Sequence, residues 1–185
     1  MGREDPEISE LVLQKFTDEG VRVLVNHRAK QFVQKNGQQL LIAEHAGQDV
    51  EIAFDTLLVA VGRTANTTGF GLQELGVRLT ARGTIEVDEF LQTSIPTIYA
   101  CGDVAGPYQF THTAAHQAWY SSVNSLFGLV RRFKVDYSVI PWATFTEPEV
   151  ARVGLNETEA KQQGVSYEVT RFDIDDLDRA IADSE

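Results

Sequence analysis

Residues 55–62 read Asp-Thr-Leu-Leu-Val-Ala-Val-Gly, an uninterrupted apolar run that closes on a glycine. A strand with one wet face alternates apolar and polar residues, whereas a continuous apolar run fits a strand covered on both faces of a parallel sheet. This predicts an α/β chain. A second run, Ile98-Tyr99-Ala100-Cys101, has the same texture and ends at Gly102-Asp103. The carboxyl ends of such strands are where open α/β sheets meet ligands, so both glycine ends are candidate ligand sites.

The rest of the chain divides readily. Residues 5–19 predict a helix, with Pro6 in its first turn, acidic residues at its positive end and Gly20 after it. The alternating, β-branched residues 21–25 predict a strand. Residues 29–34, 39–44 and 50–54 predict three more, and Asn36-Gly37 between the first two is a hairpin signal because both residues tolerate positive φ. An antiparallel meander is expected there. Residues 63–82 read as a surface connection with a short helical stretch at 72–75. Short strands at 84–87 and 98–101 come next, then a helix over 111–127. Further on, 143–146, 150–154 and 166–172 predict strands, 157–163 a helix, and 173–178 an acidic solvated turn.

Composition narrows the function classes. The 16 basic and 27 acidic side chains give a net charge of −11, which disfavours nucleic acid and anionic lipid as main partners. One cysteine, Cys101, builds neither an internal disulfide nor a four-cysteine metal site. With no apolar run of about 18 residues and no apolar N-terminal segment, neither a membrane span nor a signal peptide is expected. A soluble, cytoplasmic protein is the expectation. The 185 residues suit one domain or parts of several.

The chemistry concentrates at Gly102-Asp103. Glycine lets a ligand approach the backbone, an aspartate at a strand end accepts hydrogen bonds from sugar hydroxyls, and the helix starting near Thr111 offers free N–H groups. A plain β-turn with an Asx cap uses the same residues. Four stretches then appear in order: residues 54–66, Phe-Asp-Thr-Leu-Leu-Val-Ala-Val-Gly-Arg-Thr-Ala-Asn; 87–94, Val-Asp-Glu-Phe-Leu-Gln-Thr-Ser; 98–104, Ile-Tyr-Ala-Cys-Gly-Asp-Val; and 145–154, Phe-Thr-Glu-Pro-Glu-Val-Ala-Arg-Val-Gly. In register they resemble the pyridine nucleotide-disulfide oxidoreductases, and within that family the mercuric reductase and dihydrolipoamide dehydrogenase types.

The resemblance implies partial FAD- and NAD(P)-binding Rossmann-like domains plus the first half of an α+β dimerisation domain. Residues 1–62 would be the C-terminal part of the NAD(P) domain, 63–135 the returning part of the FAD domain, and 136–185 the start of the interface domain of a homodimer. Asp103, with Gly102, would bind the ribityl chain of FAD. Backbone groups of Gln109, Phe110, Thr111 and His112 would lie against the flavin pyrimidine edge. Gly62 would close the NAD(P) domain near the nicotinamide, and Ala29 would touch the adenine side. Tyr137, Trp142 and Phe145 would pack at or near the partner chain.

The departures are as informative. The family's chemistry ends on a Cys-x-x-x-x-Cys disulfide, which this chain lacks. Gly69 and Gly71 do not build a Gly-x-Gly-x-x-Gly fingerprint, and the family's C-terminal His/Glu pair is not matched. The expectation is an internal fragment without turnover of its own, from a flavoenzyme that passes hydride from NAD(P)H to FAD and electrons to a disulfide or metal-ion substrate. Two other readings stay open: a non-catalytic dimerisation or scaffold module, and an NADH:quinone-type flavoprotein without the disulfide.

Other motifs read as structural. His112 and His116 share a helix face, but no third ligand or general base accompanies them, so no metal site is expected. His27 and His45 read as surface residues. Arg131-Arg132-Phe133-Lys134 complements the dipole at the end of the long helix. The acidic stretch 173–178 lacks the glycine and terminal glutamate of a calcium loop, and Asp55, Arg63 and Asn66 read as loop-stabilising.

Overall fold

The computed structural model describes residues 1–173 and 177–183. Helix α1, Pro6–Asp18, opens the chain, with Pro6 in its first turn where a missing N–H costs nothing. Three strands follow as a meander: β1 Arg28–Lys35, β2 Gln38–His45 and β3 Gln48–Phe54, all antiparallel. The β1–β2 turn places Asn36 at φ 53° and Gly37 at φ 81°, as the Asn-Gly pair predicts. The central strand carries the buried face, with Leu40, Ile42 and Ala43 each under a tenth exposed.

Residues 63–110 form an irregular region held by a small core. Val77, Ile85 and Ala100 are buried, and Leu72, Val87, Ile95, Ile98 and Val104 pack around them. Helix α2, Thr111–Phe127, lies against this region. The two-stranded antiparallel β4–β5 sheet, Pro141–Thr144 with Val150–Val153, precedes helix α3, Glu157–Gln163. Asn156 caps α3 in a reciprocal box with Glu159, and Gly164 ends the helix in the left-handed region. Helix α4, Asp178–Asp183, is the last described element.

Several sequence-based expectations are corrected. Residues 55–62 form no strand, and Leu58 and Val61 are 88% and 87% exposed. A run suited to two covered faces needs strands on either side, and the ladders among the described residues are all antiparallel and lie elsewhere. The expected parallel, Rossmann-like sheet is therefore not formed among these residues; the antiparallel meander is. Residues 21–25 and 166–172 are likewise outside any strand: neither belongs to a ladder among the described residues, and Val21 instead donates its N–H to the Phe16 carbonyl at the end of α1. Around 84–87 and 98–101 there are only isolated bridges, such as Val87 with Thr93 and Gln92 with Tyr99. Residues 72–75 make a turn closed by Leu75 N–H to the Gly71 carbonyl, not a helix. Strand β4 lies two residues earlier than expected, since Thr146 already belongs to the turn at cis Glu147-Pro148. Part of the acidic stretch 173–178 lies outside the described residues.

Candidate cofactor-binding site

The extended chain at Cys101 breaks at Gly102, whose φ of 80° sends the backbone into a single 3-10 turn, Gly102–Val104. Gly102 is required there twice over. Its φ is costly for any side chain, and a Cβ would stand 3.3 Å from the Ala114 Cβ on α2. The turn presents Asp103 to a cleft of about 1270 Å³ also lined by Arg63, Asp88, Gln109, Phe110, Lys134 and Tyr137. Arg63 Nη1 donates to Asp103 Oδ2 at 3.1 Å, occupying one carboxylate oxygen.

What holds this loop is a side chain from the helix behind it. Gln117 is fully buried on α2. Its Oε1 accepts the Gly102 N–H at 2.6 Å, and its Nε2 donates to the Gly106 carbonyl at 2.6 Å and the Tyr137 hydroxyl at 2.7 Å. One amide thus satisfies both ends of the loop that carries Asp103, and burial pushes the Tyr137 phenol above its ordinary pKa. Two turns later the buried Asn124 repeats the arrangement. Its Nδ2 donates to the Phe90 and Phe133 carbonyls at 3.0 and 2.9 Å, and its Oδ1 accepts the Phe133 N–H at 2.7 Å. The buried face of α2 is therefore polar: Thr113, Gln117 and Asn124. It packs on irregular backbone, whose N–H and C=O groups need partners.

The predicted site residues are partly gathered. Asp103, Gln109 and Phe110 line one cleft, with Gly102 buried behind it. Thr111 starts α2, whose N-cap Phe110 supplies no side-chain acceptor, so the first-turn N–H groups have no side-chain cap. His112 turns away: its Nε2 donates to the Pro141 carbonyl at 2.6 Å, and it lines a second, smaller pocket with Trp142, Phe145 and Arg152. A stacked series, Tyr108 on Phe110 on His112, runs between the two pockets, with Trp142 tilted against Tyr108 and Phe110. Gly62 is outside the cleft, but its neighbour Arg63 is on the wall. Ala29 lies on β1, paired with Ala43 beside a bulge, and contributes nothing to the cleft.

Sequence reasoning missed Gln117, Asn124 and Arg63 as parts of this site. The available signal for the two amides was the spacing of Thr113, Gln117 and Asn124, which puts three polar side chains on one face of α2. Among the described residues no group of three or more His, Cys, Asp or Glu side chains is arranged for a metal, and no helix is long and apolar enough to cross a membrane.

A family model described as pyridine nucleotide-disulphide oxidoreductase matches residues 1–118. The chain belongs to that family. The dimerisation-domain model of the pyridine nucleotide-disulphide oxidoreductases matches residues 140–185. A dihydrolipoyl dehydrogenase of Chlamydia muridarum is 35% identical over 96% of this chain and 37% of its own length. A mercuric reductase of Staphylococcus aureus is 38% identical over 98% of this chain and 33% of its own length. Among solved structures, the HOCl-induced flavoprotein disulfide reductase RclA from Escherichia coli superposes with a TM-score of 0.82 at 27% identity, covering 100% of this chain and 41% of RclA. LpdA from Mycobacterium tuberculosis gives a TM-score of 0.82 at 25% identity, over 98% of this chain and 38% of LpdA. This pyridine nucleotide-disulphide oxidoreductase chain therefore spans about a third of the curated relatives it matches.

Proposed function

We propose that this chain supplies the ribityl-binding and pyrimidine-facing wall of an FAD site, part of an NAD(P)-binding domain, and the start of a homodimer interface. These roles would fall to residues 63–135, 1–62 and 136–185 in turn. The chemistry of the donor set fits the cofactor. Asp103 offers a carboxylate oxygen for sugar-chain hydroxyls, and α2 opens towards the cleft with first-turn N–H groups that no side chain caps, while the cleft cations Arg63 and Lys134 are paired with Asp103 and Glu89 on the same wall. Bound FAD would accept hydride from NAD(P)H and pass electrons on to a disulfide or metal-ion substrate.

Each residue then has a task. Asp103 accepts from the ribityl hydroxyls once a hydroxyl shares the carboxylate with Arg63. Backbone groups of Gln109, Phe110, Thr111 and His112 hold the pyrimidine edge, where the α2 dipole favours negative charge. Gly62 and Ala29 serve the nicotinamide cofactor, Gly62 through its φ of 132°, which leaves the backbone open to close approach. With one cysteine, the chain has no Cys-x-x-x-x-Cys pair of its own, so disulfide chemistry by this polypeptide alone is not expected.

The single observation that carries this reading is Asp103, set on the cleft wall by a loop whose two ends Gln117 ties to α2. FAD titrated into the purified chain, followed by quenching of flavin fluorescence, tests it. Saturable binding is expected, weakened by Asp103→Ala by about 1.5–3 kcal/mol for loss of a charge-assisted acceptor. Equal binding by wild type and Asp103→Ala would overturn the ribityl assignment. NADH-dependent bleaching of flavin bound to the chain alone would overturn the expectation that it does not turn over.

A further inference from the structure

We infer that Arg3 and Arg82 are the phosphate-binding side chains of the cleft that holds Asp103, and that their ligand is a diphosphate, either that of a flavin dinucleotide or the free anion. The first source rests on the flavin reading above; the second does not. The charges of the cleft carry the inference. Its wall presents four cations, Arg3, Arg63, Arg82 and Lys134, against three carboxylates, Asp88, Glu89 and Asp103. Each carboxylate already has its cation. Asp103 has Arg63 at 3.1 Å, Glu89 has Lys134 at 2.7 Å, and Asp88 has Arg132, which does not line the cleft, at 2.9 Å. Arg3 and Arg82 are left over, and among the described residues neither guanidinium has an ion pair, a hydrogen bond or a ring contact.

In a chain of net charge −11, this cleft is a local reversal of sign. Protein walls focus such a field on whatever enters, so the cleft attracts anions although the molecule as a whole repels them. An arginine without a carboxylate offers a planar fork of donors that fits phosphate oxygens two at a time. A diphosphate carries two phosphoryl groups, enough for both forks.

Both arginines stand on pinned backbone. Arg82 sits in the tip of a tight hairpin, where the Thr80 N–H donates to the Thr84 carbonyl at 2.8 Å, the Gly83 N–H donates to the Thr80 carbonyl at 2.9 Å, and Gly83 takes φ 79°. The Arg82 N–H donates to the Thr80 hydroxyl at 3.2 Å, and the buried Thr67 donates its hydroxyl to the Gly83 carbonyl at 3.3 Å. Just beyond the tip, Ile85 belongs to the buried core. Arg3 is fixed through its own carbonyl, which accepts from Asn156 Nδ2 at 2.9 Å and from Arg152 Nη2 at 3.4 Å, while its neighbours Glu4 and Asp5 are tied to Arg152 and Thr158. Binding therefore has only two side chains to order, and not two loops.

Calorimetry with inorganic diphosphate, and fluorescence titration with FAD and with riboflavin, test the site on the purified chain. Arg3→Gln and Arg82→Gln should each weaken inorganic diphosphate about three- to tenfold, and the double variant more than either, because exposed charge-assisted contacts are screened by water but not abolished. Arg82→Lys should recover part of the loss, since it restores the charge without the fork. Arg22→Gln, which removes an exposed arginine outside the cleft, should change nothing. All three arginines are exposed, so circular dichroism of the variants should match wild type. A double variant that weakens FAD but not riboflavin, which carries no phosphate, identifies the flavin diphosphate as the ligand; one that weakens only inorganic diphosphate identifies the free anion. The proposal is overturned if neither inorganic diphosphate nor FAD distinguishes the double variant from wild type, or if riboflavin is weakened as much as FAD. Absence of all flavin binding would sink the flavin reading and leave the inorganic diphosphate result standing.

Discussion

Gln117 accepts the Gly102 N–H at 2.6 Å from a position fifteen residues further along the chain. The same side chain donates to Gly106 and Tyr137, so both donor hydrogens of its amide are used inside the fold. The loop carrying Asp103 takes its shape from α2, and its tie to Tyr137 reaches the residues that lead into the dimerisation domain.

Replacing Gln117 with leucine keeps the volume roughly but strands a buried N–H, a carbonyl and a hydroxyl. The expected loss is about 2–4 kcal/mol, since each stranded buried group costs about 1–3 kcal/mol and partial relaxation recovers some of it. Tyr137→Phe removes only the hydroxyl end and should cost about 1 kcal/mol. Urea denaturation followed by circular dichroism measures both. Equal stability of Gln117→Leu and wild type would show that solvent, not Gln117, satisfies the loop.

Gly102→Ala should cost about 1–2 kcal/mol for the left-handed backbone alone, with crowding against Ala114 added. The double variant Gly102→Ala/Ala114→Gly separates the two effects. It relieves the 3.3 Å contact but not the φ penalty, and glycine inside α2 brings its own cost of about 0.5–1 kcal/mol. A double variant as stable as wild type would mean that neither effect operates.

Arg152 lies between two carboxylates, Glu4 at 3.2 Å and Glu159 at 2.7 Å, with its own side chain 12% exposed and that of Glu4 8% exposed. Its guanidinium covers the Trp142 ring at 4.0 Å, and the Trp142 indole donates to Glu4 at 3.1 Å. Arg152→Leu leaves Glu4 buried without its cation and should cost about 3 kcal/mol. Tryptophan emission should shift as the ring loses its cover. Arg171→Ala breaks the exposed ion pair with Glu7 and should leave stability unchanged, because water screens that pair.

Asp5 joins the start of the chain to α3. Its carboxylate accepts the backbone N–H groups of Glu157 and Thr158 at 3.0 and 3.1 Å and also the Thr158 hydroxyl. The Thr158 hydroxyl bond, opposed in part by burial and helped by the two amides, holds the Asp5 carboxyl below the ordinary range; the Arg152 bond does the same for Glu159. A carboxyl lowered in the fold stabilises it fully above the unfolded value of about 4, and that contribution disappears as pH falls through the lower folded value. Thermal midpoints measured from neutral pH down to about pH 3 should therefore fall on the acid side, and Asp5→Asn should flatten part of that fall. Asn156→Ala should cost about 1 kcal/mol at all of these pH values, because the cap it removes is neutral.

Local chemistry determined a good part of this protein. The bounds of α2 and α3, the Asn36-Gly37 hairpin and the meander were legible because periodicity, capping residues and turn residues act within a few positions. Family membership was legible too, because its four motifs are contiguous stretches. The run at 55–62 has the texture of a strand covered on both faces, yet it is neither a strand nor buried; burial is a property of pairs of elements, and no described strand lies beside it. The same holds at 21–25 and 166–172. Only the tertiary structure could decide that a glutamine in mid-helix shapes the Asp103 loop, that Arg63 reaches Asp103 across forty residues, or that His27 stacks on His45. Those contacts join distant parts of the chain through hydrogen bonds, ion pairs and ring contacts, and polar groups leave no periodic mark in the sequence that says which partner they will meet.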